Sequence, residues 1–305
     1  MKPYRAGITA AACAFVLWGL LPVYWKLLEG VAAYEILCHR MVWSMVVTLG
    51  FLLVMGKVGG FFALFRQRRR IGFFLLTASI LSVNWFIYIW AVNADHIIEA
   101  SLGYFINPLV SVCFGVIFLK ETIRPWQWFS VLLAFVGVCY LTWLYGSFPW
   151  IAVSLATTFA CYGLLRKISV VPALEGLCVE TSLLFLPALG FLLFREGAGA
   201  GAFVGDSPVV SLLLVGTGLA TTIPLLCFCY AAQKIPLYQV GLLQYLAPTI
   251  NLFVGIFIYH EPFPMERVLG FAFIWTALAV FLWDGLRRQL RAPMLEGKKH
   301  SPARK

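Results

Sequence analysis

The chain alternates between long apolar runs and short connections that are polar or contain Gly and Pro. A helix that crosses a bilayer needs about 20 mainly apolar residues, and ten runs approach or exceed that length. They lie at residues 7–28, 33–55, 71–93, 97–119, 126–145, 150–168, 173–194, 209–232, 236–258 and 267–286. Because hydrocarbon offers the backbone no outside hydrogen-bond partners, these runs predict ten membrane-spanning helices.

Composition supports a membrane protein without a separate soluble domain. The mean hydropathy is +0.89 and only 12% of residues are charged, whereas soluble chains carry roughly 25%. The first run follows Lys2 and Arg5 as a signal peptide would, but nine further runs follow and no convincing cleavage site ends it, so we expect a retained helix. All eight cysteines lie inside the runs with no disulfide or zinc spacing, and we expect neither a metal nor another cofactor.

The positive charges predict the orientation of the helices. With the N-terminus in the cytoplasm, nineteen Lys and Arg residues fall on the inner side, and only Lys26, Arg195 and Arg267 fall on the outer side. This asymmetry predicts a multi-pass protein of the cytoplasmic membrane with both termini in the cytoplasm. The run RQRRR at 66–70 is expected to fix topology near anionic lipid, not to bind nucleic acid, because no groove-reading motif accompanies it.

The chain also resembles itself at a shift of 140 residues. Two separate groups recur at this one shift: Ala33, Glu35, Leu37 and Cys38 as Ala173, Glu175, Leu177 and Cys178, and Pro108, Gly115 and Glu121 as Pro248, Gly255 and Glu261. Two matches at one spacing indicate a duplication. We therefore predict a first five-helix repeat over 1–146, a second over 147–286, and a basic cytoplasmic tail over 287–305.

A repeat of five helices enters the membrane from opposite sides in its two copies, because five is odd. The predicted fold class is thus an all-α polytopic membrane protein with ten transmembrane helices in two inverted five-helix repeats, an architecture typical of secondary transporters. Prolines within spans free a backbone carbonyl that lipid cannot satisfy. Pro22, Pro108, Pro224 and Pro248 are candidate hinges, although membrane helices also tolerate proline without any functional role.

Charged residues inside the second and seventh helices need partners. Glu35 and its copy Glu175 fit an interfacial position in a first helical turn, and His39, one turn after Glu35, fits either a cap or a proton relay. Arg40 is costly in a membrane and corresponds to Glu180 under the 140-residue shift, so we hypothesise that the two bridge the halves directly or through substrate. The alternative is that Arg40 extends its side chain outward to the interface.

The densest polar group lies in the third and fourth helices, and part of it has a counterpart in the ninth. The candidate substrate-binding residues are Trp18, Asn84, Tyr88, Trp90, Asn93, Glu99, Tyr104, Asn107, Gln244 and Tyr245. Tyr104 and Asn107 share a helix face just before Pro108, and Gln244 and Tyr245 hold the matching place before Pro248. Each polar residue also fits a simple hydrogen bond between helices, Glu99 fits an interfacial position, and aromatic belts explain many of the aromatic residues.

The stretches EILCHRMVWS, WAVN, EASLGYFINPLV and TTIPLLCF resemble the RarD-type branch of the EamA transporters, within the drug/metabolite transporter superfamily. The resemblance covers nearly the whole chain. It implies a bacterial cytoplasmic-membrane permease that exports small metabolites, in a branch whose name is linked to chloramphenicol sensitivity. It also implies a cavity formed by helices one, three, four, six, eight and nine, with the charges of helix two supporting that cavity from behind.

These observations favour a secondary-active exporter of small metabolites or drug-like compounds that works by alternating access. The sequence contains no phosphate-binding loop that would indicate direct use of ATP. It also contains no cluster of Asp, His and a nucleophile that would indicate an enzyme. Proton coupling is predicted at His39, Glu99 or Glu180, with Arg40 as an ion-pair candidate. A membrane-embedded sensor or enzyme without transport is the alternative. The expected partners are a small-molecule substrate and the lipid bilayer, and monomer and homodimer both stay open.

Overall fold

The computed structural model describes residues 2–94, 96–205, 207–260 and 265–299, with the side chains of residues 2, 92, 93, 286 and 288–299 outside that description. In this part of the chain every regular element is a helix. The helices are α1 Lys2–Lys26, α2 Ala33–Val54, α3 Val58–Phe65, α4 Arg68–Asn93, α5 Ile97–Ile117, α6 Pro125–Tyr145, α7 Trp150–Ile168, α8 Ala173–Gly197, α9 Ala202–Gly205, α10 Pro208–Lys234, α11 Leu237–Leu243, α12 Leu246–Phe257 and α13 Met265–Lys299.

Ten segments of the described chain are long and apolar enough to cross a membrane, as the sequence predicts. They are α1, α2, α4, α5, α6, α7, α8, α10, the combined α11 and α12, and the first 21 residues of α13. Local signals set several ends: Pro125 and Pro208 each occupy the first turn of a helix, where the missing N–H is no loss. Gly146 ends α6 with a positive φ of 83°, which glycine adopts without strain.

The ninth span is broken, and its counterpart is not. α11 ends at Leu243 and α12 begins at Leu246, and the N–H of Tyr245 bonds to the Leu242 carbonyl in the tight i to i+3 manner. Pro248 directly follows this break, whereas Pro108 lies within the continuous α5. The two paired prolines therefore occupy different local structures. Pro22 and Pro224 lie inside α1 and α10.

Successive spans cross the membrane in opposite directions, so every span begins on one of two sides of the membrane and ends on the other. We call the side that holds the start of α1 the terminal side, and the side that holds the start of α2 the distal side. Spans four and nine begin at Ile97 and Leu237, and spans five and ten at Pro125 and Met265. Both pairs differ by 140 residues, which is the spacing of the sequence repeat.

The packing partners also exchange when the two halves are swapped. α1 packs on α10 as α7 packs on α4, α1 packs on α12 as α7 packs on α5, and α2 packs on α10 as α8 packs on α4. The pairs α2–α8 and α6–α13 map onto themselves. Lys120 and His260, again 140 apart, both take a left-handed φ, of 52° and 53°, after spans four and nine. This is the pattern that a pseudo-two-fold relation between five-helix halves requires.

Candidate functional site

Arg40 lies at the meeting point of helices from both halves. It is seven residues into α2, which places it about 10 Å of helix from the distal side. Its guanidinium carbon is 5.1 Å from the ring centre of Trp25 at the end of α1 and 5.0 Å from that of Trp85 in α4. Its Nε donates to Thr221 Oγ1 of α10 at 2.9 Å. Two indole rings and a threonine thus hold the cation in a fixed orientation.

The outer edge of this guanidinium has no protein partner among the described side chains. Nε is engaged, but Nη1 and Nη2 make no hydrogen bond to that part of the chain, and the residue as a whole is half-buried. The Tyr88 and Tyr104 hydroxyls are the groups that interact electrostatically with Arg40. Their rings meet edge to face, with centroids 6.4 Å apart. We call Arg40, Trp25, Trp85, Tyr88, Tyr104 and Thr221 the Arg40 site.

A small cavity adjoins the Arg40 site on its inner flank. Its volume is about 10 Å³, room for about one water molecule, and Trp85 and Thr221 form part of its wall. Thr222 and Glu180 lie in the same wall. The Thr222 hydroxyl is buried and has no hydrogen-bond partner in the described protein, so a water molecule in this cavity would satisfy it.

Glu180, in the wall of that cavity, has hydrogen-bond donors at both carboxylate oxygens, whereas Nε of its partner Arg166 has no partner in the described chain. Its Oε1 accepts from Thr77 at 2.6 Å and from Arg166 Nη1 at 3.4 Å, and its Oε2 accepts from the Tyr162 hydroxyl at 3.0 Å. All four residues are buried. Arg166 Nη2 also donates to the Ala173 carbonyl at 2.9 Å. The carboxylate is therefore neutralised and hydrogen-bonded inside the protein.

The expected direct bridge between Arg40 and Glu180 is wrong, because Glu180 pairs with Arg166. The shift of 140 residues places the two charges at equivalent positions, but about 10 Å from opposite sides of the membrane, so their side chains do not meet. Each one instead contacts a threonine of the opposite half: Arg40 binds Thr221, and Glu180 binds Thr77. Arg40 contacts Trp25 near the distal end of α1 as well as Trp85 and Thr221, so the alternative of an outward extension stays open.

Glu99 caps a helix and does not line the Arg40 site. Its Oε1 accepts the backbone N–H of Ile151 at 2.7 Å, at the start of α7, and its Oε2 accepts the Tyr145 hydroxyl at 2.9 Å. A carboxylate at a helix N-terminus is favoured by the helix dipole. With both oxygens engaged by protein donors, Glu99 is withdrawn as a substrate ligand and the interfacial interpretation is the one that fits.

His39 and Glu35 do not form a relay. Glu35 accepts the Ala202 N–H at 2.6 Å and lies 3.5 Å from Arg195. The His39 ring stacks on Phe203 of the short helix α9, with centroids 5.3 Å apart, and neither ring nitrogen has a hydrogen-bond partner in the described chain. The α9 segment therefore covers His39 on the distal side.

Several other candidates join helices and do not face open space. The Asn84 amide donates to the Leu155 carbonyl at 2.9 Å and to Thr158 at 2.8 Å. Gln244 accepts from Ser111, which also donates to Asn107, both at 3.4 Å. The Tyr245 hydroxyl donates to the Phe105 carbonyl at 3.3 Å. These bonds match the plainer interpretation, that of hydrogen bonds between helices.

The tryptophan candidates lie apart from Arg40. Trp18 packs in an aromatic cluster with Phe15, Phe159 and Phe228. Trp90 stacks on His96 and lies 5.5 Å from the ring of Trp150 near the distal end, as an interfacial aromatic does. The side chain of Asn93 lies outside the described residues. Of the predicted substrate-binding residues, Tyr88 and Tyr104 are the two that the structure brings to the Arg40 site.

Equivalent positions in the two halves differ sharply in exposure. Tyr104 is 44% exposed, and Gln244, 140 residues later, is 6% exposed. Tyr88 is 37% exposed, and its equivalent Phe228 is 2% exposed. The first member of each pair lies in the distal part of its helix and the second in the terminal part. At these two pairs of positions the side chains are thus packed more loosely near the distal side than near the terminal side.

Sequence reasoning missed three important residues. Arg166 stands next to Lys167 at the end of a span and was counted among the surface charges, but it is fully buried. Trp25 and Thr221 had no charge or motif to mark them. Arg40 itself was expected to support a cavity from behind, and the structure places it in the centre. An interior arginine with no acidic neighbour on its own helix face was the signal that pointed to it.

Comparison with known proteins agrees with this architecture. Residues 5–143 match the EamA-like transporter family. Protein RarD of Streptomyces exfoliatus is 46% identical over 94% of this chain and 91% of its own. The uncharacterized transporter YojE of Bacillus subtilis strain 168 is 43% identical over 93% and 95%. A solved protein crystal structure with 20% identity covers 92% of this chain and 97% of its own with a TM-score of 0.69, which shows a shared fold alone.

The relatives cover almost the full length, and the described helices contain the ten spans that such a protein needs. The chain is thus a multi-pass membrane protein with a general transporter role. It belongs to the RarD-type branch of the EamA-like transporter family.

Proposed function

We propose that this protein is a secondary-active exporter of small metabolites or drug-like compounds that works by alternating access in the bacterial inner membrane, with both termini in the cytoplasm. The observation that carries the proposal is the unequal exposure of Tyr104 and Gln244, and of Tyr88 and Phe228, at equivalent positions of two related halves. In an inverted pair of repeats, exchanging the two local conformations closes one side and opens the other.

The contacts that close the terminal side join the two halves. Glu121, after α5, accepts the N–H groups of Leu237 and Tyr238 at the start of α11, at 2.7 and 3.0 Å. The Tyr4 hydroxyl donates to Gln239 at 2.9 Å. Opening this side requires these bonds to break while equivalent distal contacts form. The break between α11 and α12, next to Pro248, supplies a place where the ninth span can change direction.

Proton coupling belongs to the same proposal, with Glu180 as its most suitable site. Its bond with Thr77 crosses from one half to the other, and the adjoining cavity of about 10 Å³ has room for about one water molecule. Protonation of the carboxylate removes the charge that holds Arg166 and weakens the contact between halves. Glu99 and His39 are less suitable, because Glu99 is engaged with the start of α7 and His39 is covered by Phe203.

The direct test is a comparison of metabolites in the medium and the cytosol with and without overexpression of the protein. We expect at least one solute to accumulate in the medium, and exchange of that solute in proteoliposomes to respond to an imposed pH gradient. Export with no response to the gradient, and no change in Glu180→Gln, would reject the coupling. If no solute moves with folded protein in either system, the transport proposal is wrong.

Topology has its own test. Cysteines introduced at Lys120 and His260, in a variant without the native cysteines, should be labelled from opposite sides of the membrane by a reagent that does not cross it. Labelling of both from one side would contradict the inverted arrangement on which alternating access depends.

A further inference from the structure

We infer that the Arg40 site binds the carboxylate of a singly charged solute with an aromatic or apolar body. This inference rests on the proposed transport function, since it names the substrate class of the site. It begins from the difference between Arg40 and three other arginines that are buried or partly buried. Arg124, Arg166 and Arg195 each lie 2.7–3.5 Å from a carboxylate, whereas no described carboxylate lies within 4 Å of Arg40.

The free part of Arg40 has the geometry that a carboxylate requires. Trp25 and Trp85 cover the guanidinium, and Thr221 takes Nε. The two Nη groups have no hydrogen bond to the described chain. A planar edge with two parallel N–H donors matches the two oxygens of a carboxylate. Because the aromatic contacts and the threonine already fix the plane, little conformational freedom is lost when the anion binds.

The site compensates one negative charge and no more. The groups that interact electrostatically with Arg40 are the hydroxyls of Tyr88 and Tyr104, which carry no positive charge. The nearest cation along the chain, Lys26, forms an ion pair with Glu29 at 2.7 Å, and His39 is covered by Phe203. A dianion such as a phosphate monoester would keep an uncompensated charge inside the bundle. A monocarboxylate fits this balance.

The tyrosine pair indicates what the rest of the solute is like. Tyr88 and Tyr104 present open ring surface next to the cation. Aromatic faces pack well against planar or apolar groups, and their hydroxyls supply a few polar contacts. The solute is thus an amphipathic acid whose charged end reaches Arg40 and whose body packs against the exposed side of the two tyrosines.

Purified protein in a chloride-free sulfate buffer provides the test. The probes are phenylacetate, 3-phenylpropionate and indole-3-acetate, each with its amide, together with phenyl phosphate and chloride. Isothermal titration measures affinity, and the thermal midpoint confirms that each variant is folded. We expect at least one acid to bind at least about 10-fold more tightly than its amide, because charge-assisted hydrogen bonds are lost in the amide.

Variants then assign the binding to Arg40. Arg40→Gln should weaken the acid at least about 10-fold, and Arg40→Lys should give an intermediate loss because it keeps the charge without the planar edge. Arg195→Gln is the matched control and should bind the acid as the unaltered protein does. The inference is overturned if none of the acids binds, if acid and amide bind equally, or if phenyl phosphate binds more tightly than the acids. It is also overturned if chloride saturates the same site, or if the acid binds Arg40→Gln as tightly as the unaltered protein.

The transport proposal and the carboxylate proposal are contradicted by different results. If the acid binds through Arg40 but does not exchange across proteoliposomes, the site assignment stands and the transport function is wrong. If an exported solute is found and its export is unchanged in folded Arg40→Gln, the transport function stands and the carboxylate assignment is wrong.

Discussion

Replacing Glu180 by Gln should strongly destabilise the protein, because it leaves Arg166 as an uncompensated buried cation. The carboxylate accepts from Arg166 at 3.4 Å, from Thr77 at 2.6 Å and from Tyr162 at 3.0 Å. Both charged side chains are almost completely buried, at 0% and 1% exposure. The substitution keeps the shape and one acceptor oxygen, so the change isolates the charge.

The size of the effect follows from two independent arguments. Two unit charges 3.4 Å apart attract by ~5 kcal/mol at an effective dielectric constant of about 20. Removal of one partner of a buried pair costs about 3–5 kcal/mol in measured cases. We therefore expect Glu180→Gln to lower the free energy of unfolding by about 3–5 kcal/mol. The double variant Glu180→Gln, Arg166→Gln should lose at least about 2 kcal/mol less than either single variant, because no unpaired charge stays behind.

Unfolding of the detergent-solubilised protein by increasing SDS measures these differences. Glu175→Gln is the matched control, since it lies on the same helix without a hydrogen-bond partner for its buried Oε2 in the described chain, and we expect a change within about 1 kcal/mol. A loss below about 1 kcal/mol in Glu180→Gln, or losses that simply add in the double variant, would refute the reasoning.

Three further substitutions test packing, capping and exposure. Gly176→Ala places a methyl group against the Arg166 guanidinium and 2.9 Å from the Phe74 ring, so it should lower the free energy of unfolding by about 1–3 kcal/mol. The control Gly190→Ala, in open space on the same helix, should instead raise the free energy of unfolding by up to about 1 kcal/mol. A Gly176→Ala variant that is more stable than Gly190→Ala in SDS unfolding would contradict this packing. Glu121→Ala removes the acceptor of two backbone N–H groups and should cost about 1–3 kcal/mol in the same assay; no change would mean that this cap does not close the terminal side. Tyr104→Cys should react with a soluble maleimide at least about ten times faster than Gln244→Cys in a variant without native cysteines, since side-chain access limits the reaction, and equal rates would remove the evidence for unequal halves.

The spans were predictable because membrane physics acts on each helix separately. A run of about 20 apolar residues must pair its own backbone, so its helical state does not depend on the rest of the fold. The predicted fourth run, 97–119, is the helix Ile97–Ile117 in the structure. The short helices α3 and α9 were not predicted, because eight and four residues are too few for a periodic pattern.

The partners of buried charges were not predictable in the same way. The repeat placed Arg40 and Glu180 at equivalent positions, but equivalence under an inverted axis puts them at similar depths from opposite sides. Glu180 instead meets Arg166, fourteen positions earlier on the preceding span. Which charges meet depends on how the helices pack, and one sequence does not contain that information. Tyr88 and Tyr104 were predicted as members of the dense polar group of the third and fourth helices, but the sequence did not distinguish them from the other members of that group.

Glu180 and Arg40, the two interior charges compared above, differ in how far the protein neutralises them. Glu180 has its counter-charge and three donors, so it contributes to a closed terminal half. Arg40 has two aromatic rings and one threonine, which hold it in position without neutralising it. An arginine inside a membrane costs at least about 2.5–3.5 kcal/mol, and stability alone gives no reason to keep it unpaired. Under the proposed transport function, a ligand that supplies the missing negative charge would bind most strongly to a conformation in which Arg40 is enclosed, and this difference in affinity would drive the exchange of the two halves.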